Sequence, residues 1–238
     1  MPPPVRGLQR RIASITRWRN ASPNRLNQRP ATVEFSQWTN QRIIRRQLPP
    51  GRVTLSIFSR LRLLYLCHFS KPATDCPVYR AIRRHNARKI VELGIGSAQR
   101  AMRMIEVAGR TSSPEDIHYV GMDLFEGRAG SGQAALSLKE AHQLLRATGV
   151  RVQLVPGNPS DSLIRLANSL GKVDLLIVPA ELDSASLARM WFFVPRILHE
   201  RSQVFVESVQ ADGQKALRLK PRAEIDRMAT GTAARRAA

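Results

Sequence analysis

Acidic residues are nearly missing from the first 90 positions of this 238-residue chain: Glu34 and Asp75 stand against 19 Lys and Arg. That scarcity gathers the formal charge of +20 at one end. Residues 1–90 carry a net +17, and residues 91–238, with 19 basic and 16 acidic side chains, a net +3. An evenly basic enzyme is excluded, and the pattern is a near-neutral folded segment with basic extensions. Long apolar runs are lacking too. No stretch approaches the ~20 residues that a bilayer-spanning helix needs. The first 30 residues hold no apolar signal core; being Arg-rich and acid-free, they also fit an organellar transit peptide. Cysteine is scarce. Cys67 and Cys76, nine apart, match neither zinc nor redox spacing and make no disulfide scaffold. A reducing cytoplasm is the expected location. None of the five histidines has ligand spacing, so no metal site is expected.

What remains is ample for one full core plus extensions. Residues 1–33, with PPP, SPN and QRP, read as a disordered basic arm. Residues 34–76 form a basic extension and a candidate lid. Within them VTLSIF (53–58) reads either as a short strand or as the start of a helix through LRLLYLCHF. Pro77 suits the first turn of a helix over VYRAIRRHNAR, with Val78, Ala81 and Ile82 on one face and arginines on the other. From there the pattern is regular. Strands are expected at 90–93, 118–123, 152–156, 173–180 and 203–208. Helices are expected at 97–108, from Ser137 through Leu145, at 160–171 and at 184–198. Gly109 is expected as a C′ residue, Ser137 and Glu140 as a capping box, and Pro195 as a kink or stop. Five strand–helix alternations with short loops predict a doubly wound, mostly parallel α/β sheet over 77–210, truncated at its C-terminal edge. Residues 211–238 read as one short strand, GQKALRLK, and a basic tail whose last residues, ATGTAARRAA, read as disordered.

In such sheets ligands bind beyond the carboxyl ends of the strands. Three strand ends carry unusual residues: Glu92-Leu93-Gly94-Ile95-Gly96-Ser97, Asp123, and Gly157-Asn158. Glycines after the first strand let backbone approach a ligand closely. The dinucleotide fingerprint G-x-G-x-x-G fails, because its third glycine would fall at Gln99. An ionised Glu92 would oppose a pyrophosphate on the following helix N-terminus and favour an ammonium or sulfonium. S-adenosylmethionine (SAM) has both, and a ribose whose paired hydroxyls suit Asp123. The competing readings are a salt bridge from Glu92 to a nearby arginine and a helix or loop cap at Asp123.

VELGIGS, then GMD at the second strand end, PGN at the third, and VDLLIV opening the fourth with an acid, resembles the class I SAM-dependent methyltransferases over about residues 77–208. The resemblance implies the Rossmann-like methyltransferase fold with SAM as cofactor. It implies that Glu92, Gly94 and Gly96 line the methionine part, helped by the Ser97 backbone, and that Asp123 takes the ribose hydroxyls. It also implies Leu124 against the adenine face and Asn158 where the family often has an aspartate facing the adenine amino group. Asp174 lies at the far end of its strand and reads as structural.

Methyl transfer asks the protein for alignment and, where needed, a base. The segment after the fourth strand, VPAELDSAS, lacks the Asn/Asp-Pro-Pro-Tyr/Phe run of amino-group nucleic-acid methyltransferases. It also lacks the aspartate of metal-dependent catechol-type enzymes. Glu181 and Asp183 are the nearest candidate bases, and Asp183 equally suits a helix cap. His68 and His85 fit a lid; His118 and His199 lie away from the site. MWFF (190–193) reads as core. The expected activity is methylation of an unidentified acceptor, a small molecule ahead of nucleic acid. The alternative is an inactive methyltransferase-like protein whose residues 1–90 bind nucleic acid by phosphate contacts.

Overall fold

The computed structural model describes residues 57–128, 136–211 and 213–237. The arm at 1–33 and the first part of the extension therefore lie outside the described residues. The helical reading of LRLLYLCHF holds: α1 spans Ile57–His68. After a 3-10 turn at Ala73–Asp75, α2 covers Cys76–His85 with Pro77 in its first turn. Val78 and Ile82 are buried, and Arg80, Arg83 and Arg84 are exposed, as an amphipathic helix demands.

Six strands follow: β1 (Lys89–Leu93), β2 (His118–Asp123), β3 (Arg151–Pro156), β4 (Val173–Val178), β5 (Leu198–Val209) and β6 (Lys215–Leu219). They form one sheet in the order β3-β2-β1-β4-β5-β6. All neighbours are parallel except β6, which returns along β5 as an antiparallel hairpin. The direction of winding reverses between β1 and β4, so the ligand-binding crevice of this topology lies beyond the carboxyl ends of those two strands.

Helices cover both faces. The period-2 alternation of the strands sorts their side chains. Ile90, Tyr119, Leu175, Ile177 and Phe205 pack with α1, α2, α3 (Gln99–Ala108) and α4 (Leu138–Arg146). Val91, Leu93, Val120, Met122, Leu176 and Val178 pack on the other face with α5 (Pro159–Leu166), α6 (Ser184–Trp191), α7 (Val194–Ile197) and α8 (Arg222–Ala237). Leu63, Leu66 and Cys67 of α1 belong to the first of these cores.

Several local expectations are met and several are corrected. The Ser137–Glu140 capping box is present in both directions. Gly109 ends α3 as its C-cap, but with φ −66 and not in the left-handed conformation expected of a C′ glycine. The helix expected over 184–198 is two helices. They separate at Phe192–Phe193, and Pro195 sits in the first turn of α7, where its missing N–H costs nothing. The fifth strand begins at Leu198, earlier than its apolar pattern suggested, and ends with the hairpin to β6. The ATGTAARRAA residues expected to be disordered belong, as far as Ala237, to a helix that runs from Arg222 and has Ile225 buried in the second core.

Candidate functional site

A cleft of about 530 Å³ opens at the reversal point of the sheet. Its walls come from four places that the topology brings together: the loop after β1 (Gly94–Ser97), the segment after β4 (Pro179, Glu181), the end of β5 with the hairpin (Glu207, Gln214, Lys215), and the turn before α2 (Pro72–Asp75). Arg100 and Arg103 of α3 complete it. The turn at 72–75 thus supplies a wall from the extension, while His68 and His85 are exposed and do not line the cleft.

Gly94 and Gly96 hold φ of +74 and +59, the left-handed region that glycine enters without a Cβ penalty. A Cβ on Gly96 would meet nothing within 4 Å, whereas one on Gly94 would stand 3.3 Å from Pro179 Cγ. The backbone over Gly96 is therefore open, and that over Gly94 is covered by the strand-four segment. Between them Ile95 is turned inward and lies on Gly121 of β2.

Beneath the loop is a buried charge cluster. Glu92, fully buried on β1, accepts from Arg100 Nε at 2.7 Å and from the Tyr119 hydroxyl at 2.5 Å. Arg100 also stands 3.3 Å from Glu207 and 3.8 Å from Asp75. Tyr79 donates to Asp75 at 3.3 Å, and Lys215 pairs with both Glu181 and Glu207. Burial raises the Glu92 and Asp75 carboxyls above the usual range, against the pull of Arg100. The Arg100 guanidinium is opposed by its own burial, yet Glu92, Asp75 and Glu207 together hold it more firmly charged than usual. Burial, followed by the Glu92 charge, lifts the Tyr119 phenol well above its ordinary value, so Tyr119 stays a donor. Burying charge is expensive unless it is paired and hydrogen-bonded, and here each carboxylate has a named partner.

The arginine partner of Glu92, one of the two readings left open by the sequence, is thus what the structure shows. Asp123 behaves likewise: it is buried, its Oδ2 accepts from Gly96 N at 2.9 Å, and its Oδ1 accepts from Phe125 N at 3.3 Å. It braces the glycine loop. Leu124 beside it is 40% exposed. Asn158 caps α5 through its Oδ1, which accepts from Ser160 N and Asp161 N. The structure therefore brings Gly94, Gly96 and Ser97 to the cleft lining, with Glu92 directly under them. Asp123, Leu124 and Asn158 lie along the neighbouring strand ends, outside that lining.

Of the two candidate bases, Asp183 is the N-cap of α6, accepting from Ser186 N at 2.8 Å; the Ser186 side chain, and then this amide, draw its carboxyl below the usual range. Glu181 is exposed at the cleft and paired with Lys215. Asp174, at the other end of β4, accepts from the Arg88 and Lys89 amides and lies 2.8 Å from His199 Nε2; both residues are structural. Met190 and Trp191 are core. Arg100, Asp75, Glu207 and Lys215 were not singled out from sequence. Glu207 was the most legible, an acid closing the apolar strand QVFVES.

No protein-family model matches the chain, and no curated protein matches it. Among solved structures it is similar to the O-methyltransferase of Bacillus cereus in complex with SAH, at 15% identity over 68% of this chain and 70% of that one, TM-score 0.46. It is also similar to the O-methyltransferase TomG of Streptomyces achromogenes, involved in tomaymycin synthesis and solved in complex with SAM. There the identity is 15% over 74% of this chain and 77% of that one, with a TM-score of 0.42. The position of the cleft rests on this chain's own strand order.

Proposed function

We propose that the chain is a SAM-dependent methyltransferase that acts on a small-molecule acceptor. The observation that carries this reading is the cleft at the β1/β4 reversal, floored by left-handed glycines and walled by paired carboxylates. Asp75, Glu181 and Glu207 line it and Glu92 and Asp123 brace its floor, against Arg100, Arg103 and Lys215. A pyrophosphate would meet Asp75, Glu181 and Glu207, whose partners Arg100 and Lys215 are already committed to them. It would also find the Gly96 amide already given to Asp123, although such amides are what anion sites use. A sulfonium and an ammonium meet the opposite situation.

In this reading Gly94, Gly96 and Ser97 border the methionine part with backbone, and the Glu92–Arg100 pair fixes the floor below them. Asp123, at the end of β2, takes the ribose hydroxyls. Leu124 covers the adenine and Asn158 stands at its far edge. SAM supplies a methyl group on sulfur that departs without acid assistance. The protein then has to align the acceptor and take its proton, and Glu181, held by Lys215 at the cleft, is the side chain placed for that.

Calorimetric titration with SAM tests the binding half. Wild type binds, and Asp123→Ala binds roughly 10–100-fold more weakly, since a hydrogen bond to a charged acceptor is worth ~1.5–3 kcal/mol. An unchanged affinity removes Asp123 from the site, and no binding by wild type removes the proposal. For turnover, Glu181→Gln lowers kcat by roughly two orders of magnitude or more while SAM affinity stays within about twofold. A parallel loss of affinity would contradict the role of base.

A further inference from the structure

The outward face of α1 is apolar. Ile57, Phe58, Leu61, Leu64 and Tyr65 are exposed there, Phe58 by 82%, and Phe69, 72% exposed, continues the same arc one turn on. At 3.6 residues per turn these side chains occupy roughly 120° of the helix circumference. Arg60 stands at one edge of the arc and Arg62 at the other; both are exposed, and Arg62 is ion-paired with Glu106 of α3 at 3.1 Å, so that among the described residues Arg60 is the uncommitted flanking cation of the two. The opposite side, Leu63, Leu66 and Cys67, is packed into the core. A helix whose buried needs are met by one face has no folding reason to carry large apolar side chains on the other.

The surroundings of this strip are basic. Arg83 and Arg80 of α2 act on Cys67 near the end of α1, and Arg80, Arg83, Arg84 and Arg88 are exposed. Between residues 57 and 90 the sole acid is Asp75, which is buried; from outside that span Glu106 pairs with Arg62 and Asp116 with Arg88, which among the described residues leaves Arg60, Arg80, Arg83 and Arg84 for a ligand. The sequence directly ahead of Ile57 adds 11 arginines against one acid, Glu34.

We infer that α1 docks on an anionic phospholipid surface, with its apolar arc among the acyl chains near the headgroups and the arginines on lipid phosphates. Apolar side chains flanked by cations are what an in-plane interfacial helix presents, and neighbouring basic side chains strengthen binding to anionic leaflets. A nucleic acid would use the arginines and the rings of Phe58, Tyr65 and Phe69 but gain nothing from Ile57, Leu61 and Leu64. A second copy of the chain would bring two strongly cationic ends together.

The test is co-sedimentation of the full chain with vesicles of phosphatidylcholine alone and of phosphatidylcholine with about 30% phosphatidylglycerol. Wild type partitions onto the anionic vesicles at least tenfold better than onto the neutral ones, and added salt weakens it. Leu61→Asp with Leu64→Asp abolishes the partitioning without moving the thermal midpoint, because both side chains are exposed. Removal of residues 1–52 weakens it and leaves the dependence on Leu61 and Leu64. No partitioning by wild type overturns the inference, as does partitioning that the double variant retains. It is equally overturned if the double variant dissolves a dimer, or loses binding to single-stranded RNA, while wild type ignores the vesicles.

Discussion

Arg100 touches three carboxylates at once, and two of them, Glu92 and Asp75, are pushed by burial toward the neutral form. Arg100→Met therefore costs ~3–5 kcal/mol near neutral pH, the range for orphaning buried charge. A carboxyl whose folded pKa exceeds its unfolded value stabilises the fold below the ordinary value of ~4 and loses that contribution as pH rises through the folded value. Urea unfolding should thus show the variant regaining part of its stability at about pH 5 relative to pH 8; an equal deficit at both would contradict the charge argument. Asp174 has the opposite sign. Burial works against its charge, but the Lys89 and Arg88 amides and then His199 outweigh that and hold it below the usual range. Its contribution is present above the unfolded value and lost as pH falls through the folded one. Asp174→Asn costs about 1–2 kcal/mol near neutrality, and its deficit against wild type closes on acidification. A deficit that is flat with pH would show that the charge of Asp174 adds nothing. At this scale Asp123, Asn158 and Glu92 were visible in the sequence because each stands at or beside the end of a strand. Their partners were not, since Arg100 lies eight residues beyond Glu92 and Glu207 a further 107 residues on, a pairing only the sheet order creates.

The glycine loop and the strand beside it form one packed element. A Cβ at Gly121 would come within 2.4 Å of Ile95 Cδ1 and 2.9 Å of its Cγ1. Gly121→Ala must displace the Ile95 side chain, and the strain falls on the loop from Gly94 to Gly96 that carries it. The expected cost is ~1–3 kcal/mol of stability, together with weaker SAM binding although residue 121 does not line the cleft. Calorimetry on a variant confirmed folded by its thermal midpoint checks this, and unchanged binding would show that the loop moves independently of Ile95. Elements with strong local signals were legible: the Ser137–Glu140 box, Pro77 opening α2, and the alternating strands. Boundaries set by tertiary contact were not. The break at Phe192–Phe193 follows from neither residue's propensity, and α8 pairs a weak helical pattern with an anchor, Ile225, that packs on the second core.

Over the whole molecule, the strand order places every candidate residue. The reversal between β1 and β4 puts the VELGIGS glycines opposite Pro179 and Glu181, and the β5–β6 hairpin brings Glu207 and Lys215 to the same end. The doubly wound class was readable from five alternations, because such periodicity has few compact solutions. The antiparallel sixth strand and the helix closing the chain were only partly so. The proposed function has the cavity at the reversal point take a cationic nucleoside in preference to a phosphorylated one. Titrating the full chain with SAM and with NADH under the same conditions tests that most directly. The account predicts binding of SAM, with NADH weaker by at least about a hundredfold, ~2.7 kcal/mol. NADH binding as tightly as SAM, or in its place, would contradict it.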